Sequence, residues 1–288
     1  EGRPVAAGFD SPAYAAWNSF RDSDDARYMS LTLPSTMARL PYGKNGLSAS
    51  SFDFEELNLD KDGNQRPANN SELVWSNAAY EMALKMNQAF TAYGWCTAIR
   101  GLENGGKIEA LPNLIYKSDA GDIQQHCPVE VNLTDEREKE LSDLGFLPAV
   151  HYKNTNYAVF IGAQTAQRPK TFTDPEATGN AAISAQLPYI MASGRIAHFL
   201  KVMGRDKLGS SLEATDIKKD LQAWIDQYTN SGAIGNAERA RTPLAESRID
   251  VIEQPGKPGA YSAVAYLRPW LQLEQLTTSV RMVTKIPG

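Results

Sequence analysis

Near residue 248 the hydrophobic period of this chain changes from helical to alternating, and that change limits the folds it can adopt. Upstream, residues 188–203 carry Ile190, Met191, Ile196, Phe199, Leu200 and Met203 for burial on a helix. A second stripe runs from Ile217 through Leu221, Trp224 and Ile225 to Tyr228, with Thr215 read as its cap. Downstream, Ile249 and Val251 alternate with Arg248 and Asp250, the Pro-Gly-Lys-Pro-Gly stretch at 255–259 turns the chain, and residues 261–267 run back. Residues 276–286 then alternate again. Helices that give way to consecutive strands predict an α+β fold with packed helices, mixed sheets and a C-terminal antiparallel meander.

The first half reads as mixed α and β. Pro12, after Asp10 and Ser11, opens a helix with Ala13, Tyr14, Trp17 and Phe20 that ends near 24–25, and a strand over 28–33 is stopped by Pro34. Residues 44–70 form a polar, Gly- and Asp-rich connection. The clearest helix of this half follows, with Val74, Ala78, Met82, Met86, Ala89 and Phe90 as a core stripe and Gly94 as its stop. Short strands are expected at 95–99, 129–133, 147–152 and 157–161, with a helix at 135–144 that Thr134 caps and Gly145 ends. Pro169, Pro175 and several Thr mark residues 168–178 as a boundary, which gives lobes at 1–170 and 171–288.

Charge and composition remove several functions. Lys and Arg number 29 against 34 Asp and Glu, a net charge of −5 without a block of like charge, so neither nucleic acid nor an anionic membrane is an expected partner. With 42% hydrophobic residues the chain is too apolar for disorder, and no run approaches the ~18 apolar residues of a membrane span. Two cysteines make no disulfide framework, so a soluble protein of the cytoplasm is expected. The chain opens without an initiator Met or a signal segment and stops after a strand-like run, and is read as a fragment of something longer.

Each candidate reaction centre lacks a necessary part. Residues 58–63 open like a calcium loop, but Asn69 stands where a bidentate Glu is needed, Gln65 is polar and Pro67 interrupts. Residues 101–107 have the spacing of a phosphate-binding loop, but Ile108 replaces the Ser or Thr that holds Mg²⁺ and Pro112 prevents a following helix. Cys96, His126, Cys127, His151 and His198 show no metal-ligand spacing, and the adjacent His126 and Cys127 would point to opposite faces of an extended chain. His198 is read as a packed or interfacial histidine. Residues 46–50 lack the last Gly of a nucleophile elbow, and Glu55, Glu56, Asp60 and Asp62 reveal no separation suited to a glycosidase pair. No catalytic, cofactor or metal residue is assigned, no cofactor is expected, and the chain is read as an assembly or binding protein rather than an enzyme.

Four stretches together resemble the large subunit of the type VI secretion contractile sheath, the TssC/VipB family. They are SFRDSDDARYMSLTLPSTMARLPYG at 19–43, WCTAIRG at 95–101, LPYIMASGRIAHFLKVM at 187–203 and ARTPLAESRIDV at 240–251. Their order and spacing cover nearly the whole chain, which would be the C-terminal part of that subunit. The resemblance implies a fold like that of phage tail sheaths, with an outer or middle lobe at 1–170 and an inner lobe at 171–288. It also implies a structural subunit that assembles around an inner tube and contracts to drive protein secretion. Its partners would be the small sheath subunit, neighbouring large subunits and the tube protein. A phage-like tail sheath or a stand-alone binding domain is the alternative, followed by a carbohydrate-active or metal-assisted hydrolase.

Two sites follow. The inner-lobe placement makes Lys201, Arg205 and Lys207 candidate contacts to acidic groups on the tube. In the last segment Leu276, Thr278, Val280, Met282, Thr284 and Ile286 share one face, with Thr277, Ser279, Arg281 and Lys285 on the other. This is the pattern of a strand buried on one side, and the meander is expected to receive strands from neighbouring subunits.

Overall fold

The computed structural model describes residues 6–48, 50–118, 120–206, 213–253, 261–270 and 280–285. The chain divides into two units, Glu1–Lys85 with Ile99–Ala166, and Met86–Ala98 with Gln167–Gly288. The first contains α1 (Ala6–Phe9), α2 (Ala15–Arg21), β1 (Leu31–Leu33), β2 (Thr36–Met37) and β3 (Trp75–Ser76). Helix α3 (Ala79–Tyr93) divides between the units, and the first continues with β4 (Lys107–Ile108), β5 (Ile115–Lys117), β6 (Ile123–Gln125), α4 (Asp135–Asp143), β7 (Phe146–His151) and β8 (Ala158–Phe160).

Its main sheet has the order β1-β7-β8-β4, with β1 parallel to β7 and the other pairs antiparallel. Leu147, Ala149 and Phe160 are fully buried, and β7 is apolar almost throughout because both of its faces are covered. Helix α4 packs on β7. It begins where the Thr134 hydroxyl accepts from the Arg137 N–H at 3.3 Å and ends at Gly145, whose φ of 87° is the left-handed conformation glycine permits. A Cβ at Gly145 would sit 2.9 Å from both the Ala166 carbonyl oxygen and Arg21 Nε. Arg21, only 2% exposed, fills this corner; Nε donates to Ala166 O at 3.0 Å and Nη2 to Asp143 O at 2.7 Å. The second contact places a cation on the C-terminal carbonyls of α4, where the helix dipole favours it.

Glu138 on α4 is buried, and that burial pushes its carboxyl above the ordinary range, against a Ser142 hydroxyl that donates to Oε1 at 2.9 Å and with repulsion from Asp135 and Asp143. A carboxyl raised in the folded state favours folding below its unfolded pKa, and that contribution is lost as pH rises through the folded value. Glu138 therefore opposes the fold at neutral pH. Glu138→Gln is expected to stabilise the protein at pH 7 by about 1 kcal/mol and to have little effect at pH 4. Urea denaturation at the two pH values measures this, and equal effects at both would contradict it.

The polar connection at 44–70 is held by carboxylates in place of ladders. Glu56 receives two bonds from Arg39, at 2.7 and 3.0 Å, and a third from the Tyr42 N–H at 2.9 Å, while Asn69 and Glu72 form a capping box. Beneath it Met37, Leu57, Leu73 and Leu114 form a small core. Several expected elements differ. Pro12–Tyr14 is a 3₁₀ turn ahead of α2, Asp25–Tyr28 is another, and the strand is confined to Leu31–Leu33. Val74 and Ala78 precede α3, and Phe90 is 49% exposed. Residues 95–99 form no strand, and Val129 makes only an isolated bridge to Thr36.

The second unit adds α5 (Pro175–Ser184), α6 (Leu187–Asp206), α7 (Ala214–Asp226), α8 (Asn236–Arg241), β9 (Leu244–Glu253), β10 (Tyr261–Pro269) and β11 (Val280–Lys285). Helix α5 lies where the prolines and threonines of 168–178 predict a boundary loop, and it starts with Asp174 accepting from the Glu176 N–H at 3.0 Å and with Pro175 in its first turn. The cap position of α7 is Glu213, so Thr215 lies inside the helix. Ala192, Ile196 and Leu200 on α6 and Ile217, Leu221 and Ile225 on α7 each recur every fourth residue. They pack with Ile249 of β9 and Ala263, Ala265 and Leu267 of β10. Trp95 joins this core, and Arg195 lies over it at 4.6 Å while donating to the Gly94 carbonyl at the end of α3.

Candidate assembly interface

The sheet of the second unit has the order β11-β10-β9, antiparallel throughout. Residues 276, 278 and 286 of the expected strand-exchange set, Leu276, Thr278 and Ile286, lie outside the described residues. The backbone register sets Val280, Met282 and Thr284 opposite Leu267, Ala265 and Ala263. Among the described residues, β11 is one margin of the sheet and β9 the other.

The β9 margin is engaged at Leu244, Ser247 and Ile249. The Leu244 N–H donates to Tyr228 O at 3.2 Å, and Leu244 O accepts from the Asn230 N–H at 2.9 Å. Further along, the Ile249 N–H donates to Gln222 Oε1 at 2.8 Å and Gln222 Nε2 donates to Ser247 O at 3.4 Å. Thr229 and Ser247 join their hydroxyls at 2.9 Å, and Lys218 Nζ meets Asp250 Oδ1 at 3.0 Å. These contacts come from α7 and the turn after it. Sequence reading found the apolar stripe of α7 and passed over the polar stripe one residue further on, Lys218, Gln222 and Asp226.

Lys201 and Arg205 are exposed near the C-terminal end of α6 and lie one turn apart, on the side that also bears His198. Among the described residues neither has a carboxylate within ion-pair distance. Lys207 lies outside the described residues.

The motifs weighed for chemistry form turns and local contacts. Asp60 accepts from the Asp62 and Asn64 N–H groups at 2.9 and 2.7 Å, a self-satisfied turn. The Gly106 N–H closes on Gly101 O at 3.0 Å, and the chain continues into β4 instead of a helix. His126 and Cys127 diverge: His126 Nε2 meets Ala68 O at 3.1 Å, and Cys127 Sγ lies 3.5 Å from His151 Nδ1. His151 Nε2 faces Thr155 O at 2.9 Å, so the ring proton sits there and Nδ1 accepts from the thiol, whose pKa burial pushes up. Burial therefore favours the thiol of Cys127 over the thiolate a nucleophile needs. Among the described residues no three His, Cys, Asp or Glu converge on a common point, and no helix is long and apolar enough to cross a membrane.

Comparison with known proteins matches residues 1–167 to the EvpB/VC_A0108 tail sheath N-terminal domain and residues 176–286 to the EvpB/VC_A0108 tail sheath gpW/gp25-like domain. The chain is 44% identical over 282 residues to a Pseudomonas aeruginosa protein named type VI secretion system sheath protein TssC1. That alignment covers 97% of this chain and 55% of the relative, so the chain spans about half of the relative's length.

Proposed function

The chain belongs to the EvpB/VC_A0108 tail-sheath family, and from that premise we propose that it serves as a structural subunit of a contractile sheath in type VI secretion. The observation that carries this reading is the succession of two sheath-family domains along the chain, with 44% identity to a sheath protein across nearly all of it. Subunits held in an extended lattice relax to a contracted one with better contacts, so the work comes from assembly and no covalent chemistry is needed within the subunit. The protein acts in the bacterial cytoplasm, with its first lobe, 1–170, outer or middle and its second, 171–288, inner. It joins the small sheath subunit and neighbouring large subunits and encloses the tube protein. Added strands at the terminal meander, through Leu276, Thr278, Val280, Met282, Thr284 and Ile286, tie one subunit to the next. Lys201, Arg205 and Lys207 face acidic groups of the tube, an arrangement supported by the exposure of Lys201 and Arg205 and by their lack of an ion-pair partner among the described residues.

Coexpression of the complete protein with its small-subunit partner and the tube protein, followed by electron microscopy, tests both levels. Tubules are expected, and their absence would sink the sheath reading. Reversing the three cations (Lys201→Glu, Arg205→Glu, Lys207→Glu) is expected to yield sheaths that no longer enclose a tube. Normal sheathing by that variant would remove the tube contact and leave the sheath reading standing.

A further inference from the structure

We propose that Gln222 is an edge plug: its side-chain amide takes the place of an added strand on β9 and so confines strand addition in this sheet to β11. This rests on the reading that neighbouring subunits are joined by added strands. The geometry carries the assignment. A primary amide offers the same donor and acceptor as a peptide group. Gln222 presents them to Ser247 O and the Ile249 N–H, the two groups that a single residue of a parallel strand would engage. Its Nε2 also donates to Asp226 Oδ1 at 2.7 Å, which fixes the amide with nitrogen toward the carbonyl and oxygen toward the N–H. The Tyr228 carbonyl and Asn230 N–H engage Leu244 at the start of the strand, so the edge is held at Leu244, Ser247 and Ile249.

The helix is held in place by the neighbouring stripe. Ile217, Leu221 and Ile225 are buried in the core of the second unit, and Lys218, Gln222 and Asp226 follow each of them by one residue, which sets that row along the margin of β9. Unpaired strand edges are templates for any extended chain, and covering one of two edges selects where a partner docks. The occupant excluded from β9 is an extended segment of a neighbouring sheath subunit, and the occupant admitted at β11 is the same kind of segment.

Gln222→Met, which keeps the side-chain length and removes both hydrogen-bonding groups, tests the plug in the complete protein with its small-subunit partner. Circular dichroism first establishes that the helix content is unchanged. In the unassembled subunit the Ile249 amide is expected to exchange about tenfold faster in the variant, and sedimentation velocity is expected to show more association for the variant than for the wild type. Unchanged exchange at Ile249, or no added association, would overturn the plug. So would wild-type tubules in which the amides of residues 244–249 gain further protection on assembly, since that would place an added strand on β9. Failure of the strand-addition reading itself is seen separately, as sheaths that still assemble when β11 is blocked by proline.

Discussion

Proline at Arg281 and proline at Met282 are expected to fail in two different ways. Successive residues of an antiparallel strand direct their N–H groups to opposite sides, so one of these two positions bonds to β10 and the other faces the margin. Proline removes the N–H and is tolerated only where that group pointed away from the sheet. Arg281 and Met282 both lie inside the described ladder between β10 and β11, which makes them the sharper test. The inward substitution is expected to remove a ladder hydrogen bond and disrupt the pairing of β10 with β11, seen as a lowered thermal unfolding midpoint. The outward one is expected to leave circular dichroism and thermal unfolding nearly unchanged and to abolish tubules in electron microscopy. A folded outward variant that still builds full-length sheaths would show that β11 is not an essential connector.

The largest stability effect is expected at Arg21. Arg21→Met keeps most of the side-chain volume and leaves the carbonyls of Ala166 and Asp143 without the donors they have in the native protein. Buried polar groups stripped of a charged partner lose more than the bond was worth, because the desolvation remains. A loss of about 3 kcal/mol is expected in urea denaturation, with the slope unchanged. Gly145→Ala should reproduce part of it, since the new Cβ crowds the same guanidinium and carbonyl. A change in Arg21→Met below ~1 kcal/mol would mean that water replaces the guanidinium readily and that the corner is not a structural lock.

What could be read from sequence was whatever is decided locally. Thr134 and Gly145 delimit α4 because a cap hydroxyl and a left-handed glycine act within a few residues, and the stripes of α6 and α7 and the alternation of β9 follow from period alone. The same local signals marked α5, with Asp174 and Pro175 in cap and first-turn positions, but the prolines and threonines around them read as a loop. Residues 95–99 looked like a strand because Trp, Thr and Ile suit any half-buried surface, and the structure uses Trp95 as a core plug on an irregular segment. The family emerged from four spaced stretches and none of the chemistry-bearing motifs. Gln222 was invisible for a different reason: an amide on a helix face acquires meaning only when tertiary structure brings a particular strand edge beside it.

The ladder between β10 and β11 also sets how this sheet carries load. Its register runs without a break from Ser262 opposite Lys285 to Leu267 opposite Val280. A pull along β11 strains every rung of that ladder together, and none can give way before its neighbours. A pull across the strand loads only the terminal rung, and the ladder then opens like a zip. A joint made through β11 is therefore strong along the strand axis and weak at right angles to it.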